Sequence, residues 1–234
     1  MSVRRHEVTP IAGPRDDASL AYANTLAWRG RAAPVEALVD VGDLMQWVAG
    51  SLGVAAELVG EIERWARAQP AMAAELFAEA IALRETIYRT FRALACGVAI
   101  ADRDLAALNR ALATAPPRNR LALAGAGYGW QIGPARISAA TLLAPVLWSA
   151  GDLLASDRRR RVRLCANEQC LWLFLDESKA DTRRWCDMAS CGNRAKARRH
   201  YQRTRPGSGP SLAAAPSREP APARAAGCPS RPRS

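Results

Sequence analysis

The chain has 234 residues, of which 49% are hydrophobic and 24% charged, and its formal net charge is +11. That length and apolar content suit a medium-sized core plus a small module, and they exclude a chain too polar to fold. No apolar run of about 18 residues occurs, and the polar start, Met1 to Pro14, has no hydrophobic leader segment. The sequence therefore predicts a cytoplasmic protein without a membrane partner.

The positive charge has a position. Residues 1–156 carry 15 Arg, no Lys and 15 acidic residues, so they are neutral. Residues 157–205 carry 14 basic against six acidic residues, and residues 206–234 carry four Arg against one Glu. A neutral domain joined to a basic end is the pattern expected when one end meets a polyanion. Only Lys179 and Lys196 are lysines, so the position of the charge, rather than the arginine content, carries the argument.

In chain order, a short helix is predicted from Asp17 to Trp28, stopping at Gly30. A second covers Val35 to Ala49, with Leu38, Val41, Leu44, Met45 and Val48 apolar, followed by a break at Gly50 to Gly53. A third runs from Val54 to Ala68. The clearest periodicity is Met72, Leu76, Ala80, Leu83, Ile87, Phe91 and Leu94, an amphipathic helix from Pro70 to about Cys96 with proline in its first turn. Asp102 is placed as the N-cap of the next helix, through Leu105, Leu108 and Leu112. After Pro116-Pro117, Arg120–Ala124 and Tyr128–Ile132 form a hairpin around Gly125-Ala126-Gly127, which reads as a turn rather than a phosphate loop. Ser138 caps a last apolar helix that Pro145 should kink. The stretch 206–234 contains seven prolines, shows no periodicity and is expected to be a disordered tail.

Cys165, Cys170, Cys186 and Cys191 form two Cys-x4-Cys pairs separated by fifteen residues. Zn2+ takes four soft ligands in a tetrahedron, and a tight turn offers two thiolates from one short loop. Leu171, Leu173 and Leu175 alternate with Trp172 and Phe174 as in a strand, and Asp176-Glu177-Ser178 supplies a turn. One structural Zn2+ is therefore expected, contributing most of the folding free energy of so small a module. Two disulfides, four unliganded thiols or a redox-switchable zinc site are the competing readings, and a reducing compartment disfavours disulfides.

From Gly192 to Arg203 no proline interrupts a basic helix. Arg194, Arg198 and Tyr201 share one side of it, and Lys196, Arg199 and Arg203 the other. With only Ala195 and Ala197 as small apolar contacts, this helix has no core to cover and suits a polyanion better than packing. Arg183, Arg184, Arg194, Lys196, Arg198, Arg199 and Arg203 are the candidate nucleic-acid contacts, with Arg158 to Arg161 as a second basic patch.

These residues carry a resemblance. The segment Arg163 to Arg203 resembles the CGNR zinc-finger family, named for the tetrapeptide standing here as Cys191-Gly192-Asn193-Arg194. Cys165, Cys170, Trp172, Phe174, Asp176 and Ser178 match its first half, and Arg183 to Cys186, Met188 and Cys191 to Lys196 its second. Lys179-Ala180-Asp181 departs from the pattern without touching a ligand. The preceding region resembles the ABATE domain at Leu20, Asn24-Thr25, Arg29-Gly30, Asp40, Leu44 and Trp47. The resemblance implies a bacterial transcription regulator with zinc-dependent DNA binding.

The expected architecture is thus mainly α: a helical domain with a short hairpin over 1–156, a four-cysteine zinc finger of hairpin and helix over 157–205, and the tail. Asn24, Thr25 and Arg29 are candidates for a small-molecule effector pocket in the helical domain, or else satisfy backbone groups at helix ends. That domain is also a candidate for homodimerisation. No nucleophile–base constellation can be assembled, and four cysteines leave a metal no open position, so the chain is read as a non-enzyme. Duplex DNA is the favoured partner; an RNA- or protein-interaction module is the alternative.

Overall fold

The computed structural model describes residues 11–12, 17–52, 54, 56–124, 127–131 and 136–204. Its helices are α1 (Ala18–Ala23), α2 (Val41–Leu52), α3 (Ala56–Ala68), α4 (Pro70–Ala95), α5 (Asp102–Thr114), α6 (Ala139–Leu142), α7 (Ala144–Ala155) and α8 (Asn193–Thr204). The strands are short antiparallel ribbons: β1 (Ile11–Ala12) with β5 (Gly127–Trp130) and β4 (Leu121–Ala124), β2 (Leu26–Ala27) with β3 (Val35–Glu36), and β6 (Val162–Leu164) with β7 (Leu173–Leu175). Among the described residues no helix is long and apolar enough to cross a membrane.

Helix α4 is the spine, 26 residues long and so about 39 Å. Pro70 opens it, where a missing N–H costs nothing. Leu76, Ala80, Leu83, Ile87 and Phe91 of the predicted stripe are buried, whereas Met72 is half exposed at the end that overhangs the core. Helix α1 crosses α4, and the buried Tyr22 hydroxyl donates to the Ala80 carbonyl at 2.8 Å. Helices α2, α3, α5, α6 and α7 pack around these two. Cys96 closes α4 at a buried position.

The first two predicted helices are corrected. Helix α1 ends at Ala23, because Thr25 Oγ1 turns back to the Tyr22 carbonyl and Asn24 bonds to a distant strand. Residues 26–27 and 35–36 then pair as a ribbon, with Leu26 opposite Glu36. Helix α2 starts only at Val41, where the Asp40 side chain accepts from the Asp43 N–H at 3.0 Å and the Asp43 side chain accepts from the Val39 N–H at 2.8 Å. The first bond satisfies a donor that the helix leaves open, and the second fixes the chain just before it.

Later elements follow expectation more closely. Helix α5 begins at Asp102, but its N-cap is Ala101. Asp102 and Asp104 occupy the first turn, where the helix dipole favours them, and Asp104 accepts from Arg89 at 2.7 Å. The predicted hairpin is β4–β5, closed with Ala124 opposite Gly127, and residues 125–126 lie outside the described residues. The sequence did not reveal β1, a third strand pairing Ile11 with Trp130. Ser138 Oγ accepts from the Thr141 N–H at 3.2 Å, and Pro145 sits in the first turn of α7, where the chain breaks from α6. The expected disordered tail, 206–234, lies outside the described residues.

The largest difference concerns the second hairpin. Val162, Leu164 and Leu173 are buried in the same core as α1, α4 and α7. The strand expected in the cysteine spacer is β7, but its partner β6 lies before Cys165, so the hairpin spans the first cysteine pair. The first half of the finger is thus packed on the helical core.

Candidate metal centre

Strand β6 delivers Cys165 to the tip of the hairpin, and the chain returns through Cys170 into β7. Asn167 shapes the connection: its carbonyl accepts from the Cys170 N–H at 2.8 Å, and its side-chain oxygen accepts from the Gln169 N–H at 3.2 Å. The second pair is organised by Asp187, whose carboxylate accepts from the N–H groups of Ala189 and Ser190 at 3.2 and 2.7 Å. A wide helical turn over Met188–Gly192 then carries Cys191 into α8. The two halves are tied by the Ala166 N–H to the Arg184 carbonyl at 2.8 Å. Asp176 is buried, and its carboxylate accepts from the Ser178 N–H and hydroxyl and from the Arg183 N–H, which fixes the loop between them.

All four sulfurs lie within 4.8 Å of one another, with Cys165, Cys170 and Cys191 buried and Cys186 half-buried. Cys170 and Cys186 Sγ are 3.7 Å apart, and Cys186 and Cys191 Sγ are 3.9 Å apart. A Zn–S bond of about 2.3 Å in a tetrahedron sets the sulfurs about 3.8 Å apart, so the donor set fits one structural Zn2+. Asn167 Nδ2 donates to Cys191 Sγ at 3.4 Å, the kind of outer contact that orients a thiolate ligand.

The electrostatics agree with that fit. S–H groups of Cys170 and Cys186 donate to Cys165 and pull its thiol far below the ordinary range. Those same bonds to Cys165 push Cys170 and Cys186 up. Among Cys165, Cys170 and Cys186 a thiolate on the first thus disfavours thiolates on the other two, and a bound dication would offset that repulsion.

Residues 16–157 match the ABATE family, described as "Putative stress-induced transcription regulator", and residues 161–204 match the CGNR zinc finger. The chain belongs to the ABATE family. No curated protein matches it.

Two of the ABATE landmarks, Asn24 and Gly30, bind the finger directly. Asn24 Nδ2 donates to the Leu173 carbonyl at 2.8 Å while its Oδ1 accepts from the Leu173 N–H at 3.0 Å, so one side chain pairs the edge of β7 as a strand would. The Tyr88 hydroxyl donates to the Leu171 carbonyl at 3.0 Å. The Gly30 N–H donates to the Gln169 carbonyl at 3.2 Å, and a Cβ at Gly30 would lie 1.7 Å from the Glu168 carbonyl oxygen. Only glycine fits that approach. Arg29 forks onto Glu85 at 2.7 and 3.0 Å, donates to the Ala23 carbonyl and lies 3.8 Å over the Tyr88 ring. Asn24→Ala should therefore cost about 1–3 kcal/mol, because it strips both partners from the Leu173 backbone. Urea denaturation of the metal-loaded protein measures it; an unchanged midpoint would show that water replaces Asn24.

The structure brings Asn24 and Thr25 to the wall of a half-open cavity of about 740 Å³, with Trp47, Trp172, Phe174 and Cys186 among the other walls. Arg29 lies outside it. Of the candidate nucleic-acid residues, Arg183 points into the finger: Nε donates to the Trp185 carbonyl at 2.9 Å, Nη2 donates to the Cys186 carbonyl, and the guanidinium lies 4.9 Å over Phe174. Arg184 lies 5.4 Å over Trp185, and Arg194 lies 4.6 Å over Trp28. Lys196 is exposed. Positions 198, 199 and 203 are helical, and the side chains of Arg198, Arg199 and Arg203 lie outside the description. Sequence reasoning missed Asn167, Asp187 and Trp28. The first two were open to an Asx-turn argument beside the cysteines; Trp28 was not, since only the fold brings it there.

Proposed function

We propose that this ABATE protein is a cytoplasmic bacterial transcription regulator that docks on duplex DNA through its zinc finger. The observation that carries the proposal is α8, a helix with exposed Lys196 and no apolar stripe, which leaves the zinc cluster directly after Cys191. It sits in the one segment where basic residues outnumber acids by 14 to six. Lys196, Arg199 and Arg203 supply phosphate contacts in this reading, with Arg158 to Arg161 as a flanking patch. Arg184 lies on the same finger and adds to the field. The site is structural rather than catalytic, because four thiolates leave a tetrahedral ion no open position.

The helical domain has the regulatory part. An effector in the cavity beside Asn24 and Thr25 would touch Trp172 and Cys186 of the finger as well, and homodimerisation would set the spacing of two fingers on an operator.

Anisotropy titration against duplex DNA and RNA over a salt series, with and without chelator, tests the proposal. Six phosphate contacts should give a log–log salt slope of about −5, and chelation should abolish binding. Salt-insensitive binding, or none to duplex DNA from zinc-loaded protein, would sink it. Preference for RNA would instead favour an RNA-interaction module, for which Trp172, 37% exposed on the finger, offers a stacking surface.

A further inference from the structure

The first turn of α8 faces a different partner from the rest of the helix. The Arg194 guanidinium lies 4.6 Å from the ring centre of Trp28, a residue of the ABATE domain 166 positions earlier in the chain. Trp28 is also partly buried against the cluster of Cys165, Cys170, Cys191 and Phe174. The indole is therefore shared by the two domains, packed against both the cysteine cluster and Arg194.

Its position is not incidental. Trp28 has φ +55, a left-handed conformation that a bulky residue adopts only when its surroundings impose it. The surroundings do so here. The Trp28 carbonyl accepts from the Arg31 N–H at 2.9 Å, and the following Gly30 is bound to the first cysteine turn through Gln169. The Arg31 guanidinium adds a second cation, 3.9 Å from the same ring. Asn193, beside Arg194, bonds back to the Ala189 carbonyl at 3.0 Å, so the start of α8 is fixed from both sides.

We propose that Arg194, the last residue of the Cys-Gly-Asn-Arg tetrapeptide, is a positioning residue that locks α8 to the ABATE domain through Trp28, and is not a nucleic-acid contact. This rests on the proposed nucleic-acid docking only in its corollary: a polyanion meets the other side of α8. In helical register, positions 196, 199 and 203 fall roughly opposite Arg194. Nucleic acid would then lie on the face turned away from the ABATE domain. The orientation of the helix on its target would be set by an aromatic–cation contact and not by the linker alone.

Two measurements on the full-length, zinc-loaded chain test this. The first is the rate of zinc transfer to a chromogenic chelator for wild type, Trp28→Ala, Arg194→Ala and the double variant. Each single change should speed transfer about two- to fivefold, and the double variant should be no faster than the faster single. Arg194→Lys keeps the charge and loses the planar stack, so it should fall between wild type and Arg194→Ala. A wild-type rate for Arg194→Ala, or effects that multiply in the double variant, would overturn the contact. The second is the salt slope on duplex DNA. Arg194→Ala should keep the wild-type slope, whereas Lys196→Ala should flatten it by about 0.9. Flattening by Arg194→Ala would assign it to a phosphate and reject the positioning role. If wild type binds no duplex DNA, the docking proposal and the corollary fall together, and the zinc-transfer cycle still decides the contact.

Discussion

Removing the metal, or replacing Cys191 with Ser, is expected to unfold the chain after β7 while the helical bundle stays folded. The asymmetry follows from where each half of the finger is anchored. Val162, Leu164 and Leu173 sit in the main core, and Asn24 and Tyr88 bind the hairpin backbone. The second half has fewer such ties. Residues 176–204 are held by the Asp176 loop, by the Ala166–Arg184 backbone bond, by the Arg163–Asp181 ion pair, by the Arg194–Trp28 contact, by Trp185 and by Cys186 and Cys191. In zinc-finger peptides a structural Zn2+ supplies on the order of 10 kcal/mol, which for this segment exceeds what these few, mostly exposed contacts contribute. Cys191→Ser also takes the sulfur acceptor from Asn167 Nδ2, so the first cysteine turn loosens as well. Hydrogen exchange with parallel metal analysis gives the readout. Amides of 186–204 should lose protection in the metal-free protein, while those of Leu76 to Phe91 keep theirs. Full protection of α8 without metal would mean that Trp28 and the ABATE domain hold the finger alone. Loss of protection throughout α4 would mean that the two halves fold as one unit.

How much of this was legible in the sequence depends on the range of the interaction. The α4 stripe is visible because a 26-residue helix repeats its apolar side several times, and the two cysteine pairs because their ligand geometry is local. The β2–β3 ribbon has two residues per strand, too short for any period, and its formation depends on Glu36 reaching a buried arginine on α4. The register of the finger was half legible. The Leu171–Leu175 alternation marks β7 correctly, but its partner is Val162–Leu164, on the far side of the first cysteine pair. Asn24 shows the limit most clearly. Its partner, Leu173, is 149 positions away, so no local pattern distinguishes an effector ligand from a strand clamp. The landmarks Asn24, Arg29 and Gly30 were visible as landmarks; the physics that places them at the seam with the finger was not.

Arg84→Met should destabilise the protein by about 3 kcal/mol, and the loss should shrink in acid. The Arg84 side chain is 2% exposed and lies within two carboxylates. It forks onto Glu36 at 2.6 and 2.7 Å, and its Nε donates to Glu85 at 3.0 Å. Glu85 in turn holds Arg29, whose guanidinium covers Tyr88, and Tyr88 bonds to the finger at Leu171. One buried cation thus ties the β2–β3 ribbon, α4 and the seam. Breaking a buried pair from one side costs about 3–5 kcal/mol because the partner charge is left behind; the lower end applies here, since Glu36 and Glu85 are each about one-third open to water. Burial alone would raise both carboxyls, but hydrogen bonds from Arg84 to Glu36 and from Arg29 to Glu85 outweigh it and hold both below their usual 4.5. Groups held down in the folded state stabilise it above the unfolded value and lose that contribution as pH falls through the folded one. Wild-type stability should therefore decline as pH drops from about 4.5, and Arg84→Met should decline less, because Glu36 then has no cation to lose. Denaturation midpoints at pH 7 and pH 4 decide it. A gap between wild type and variant that stays constant would mean that Arg84 acts through packing of its aliphatic stem, not through its charge.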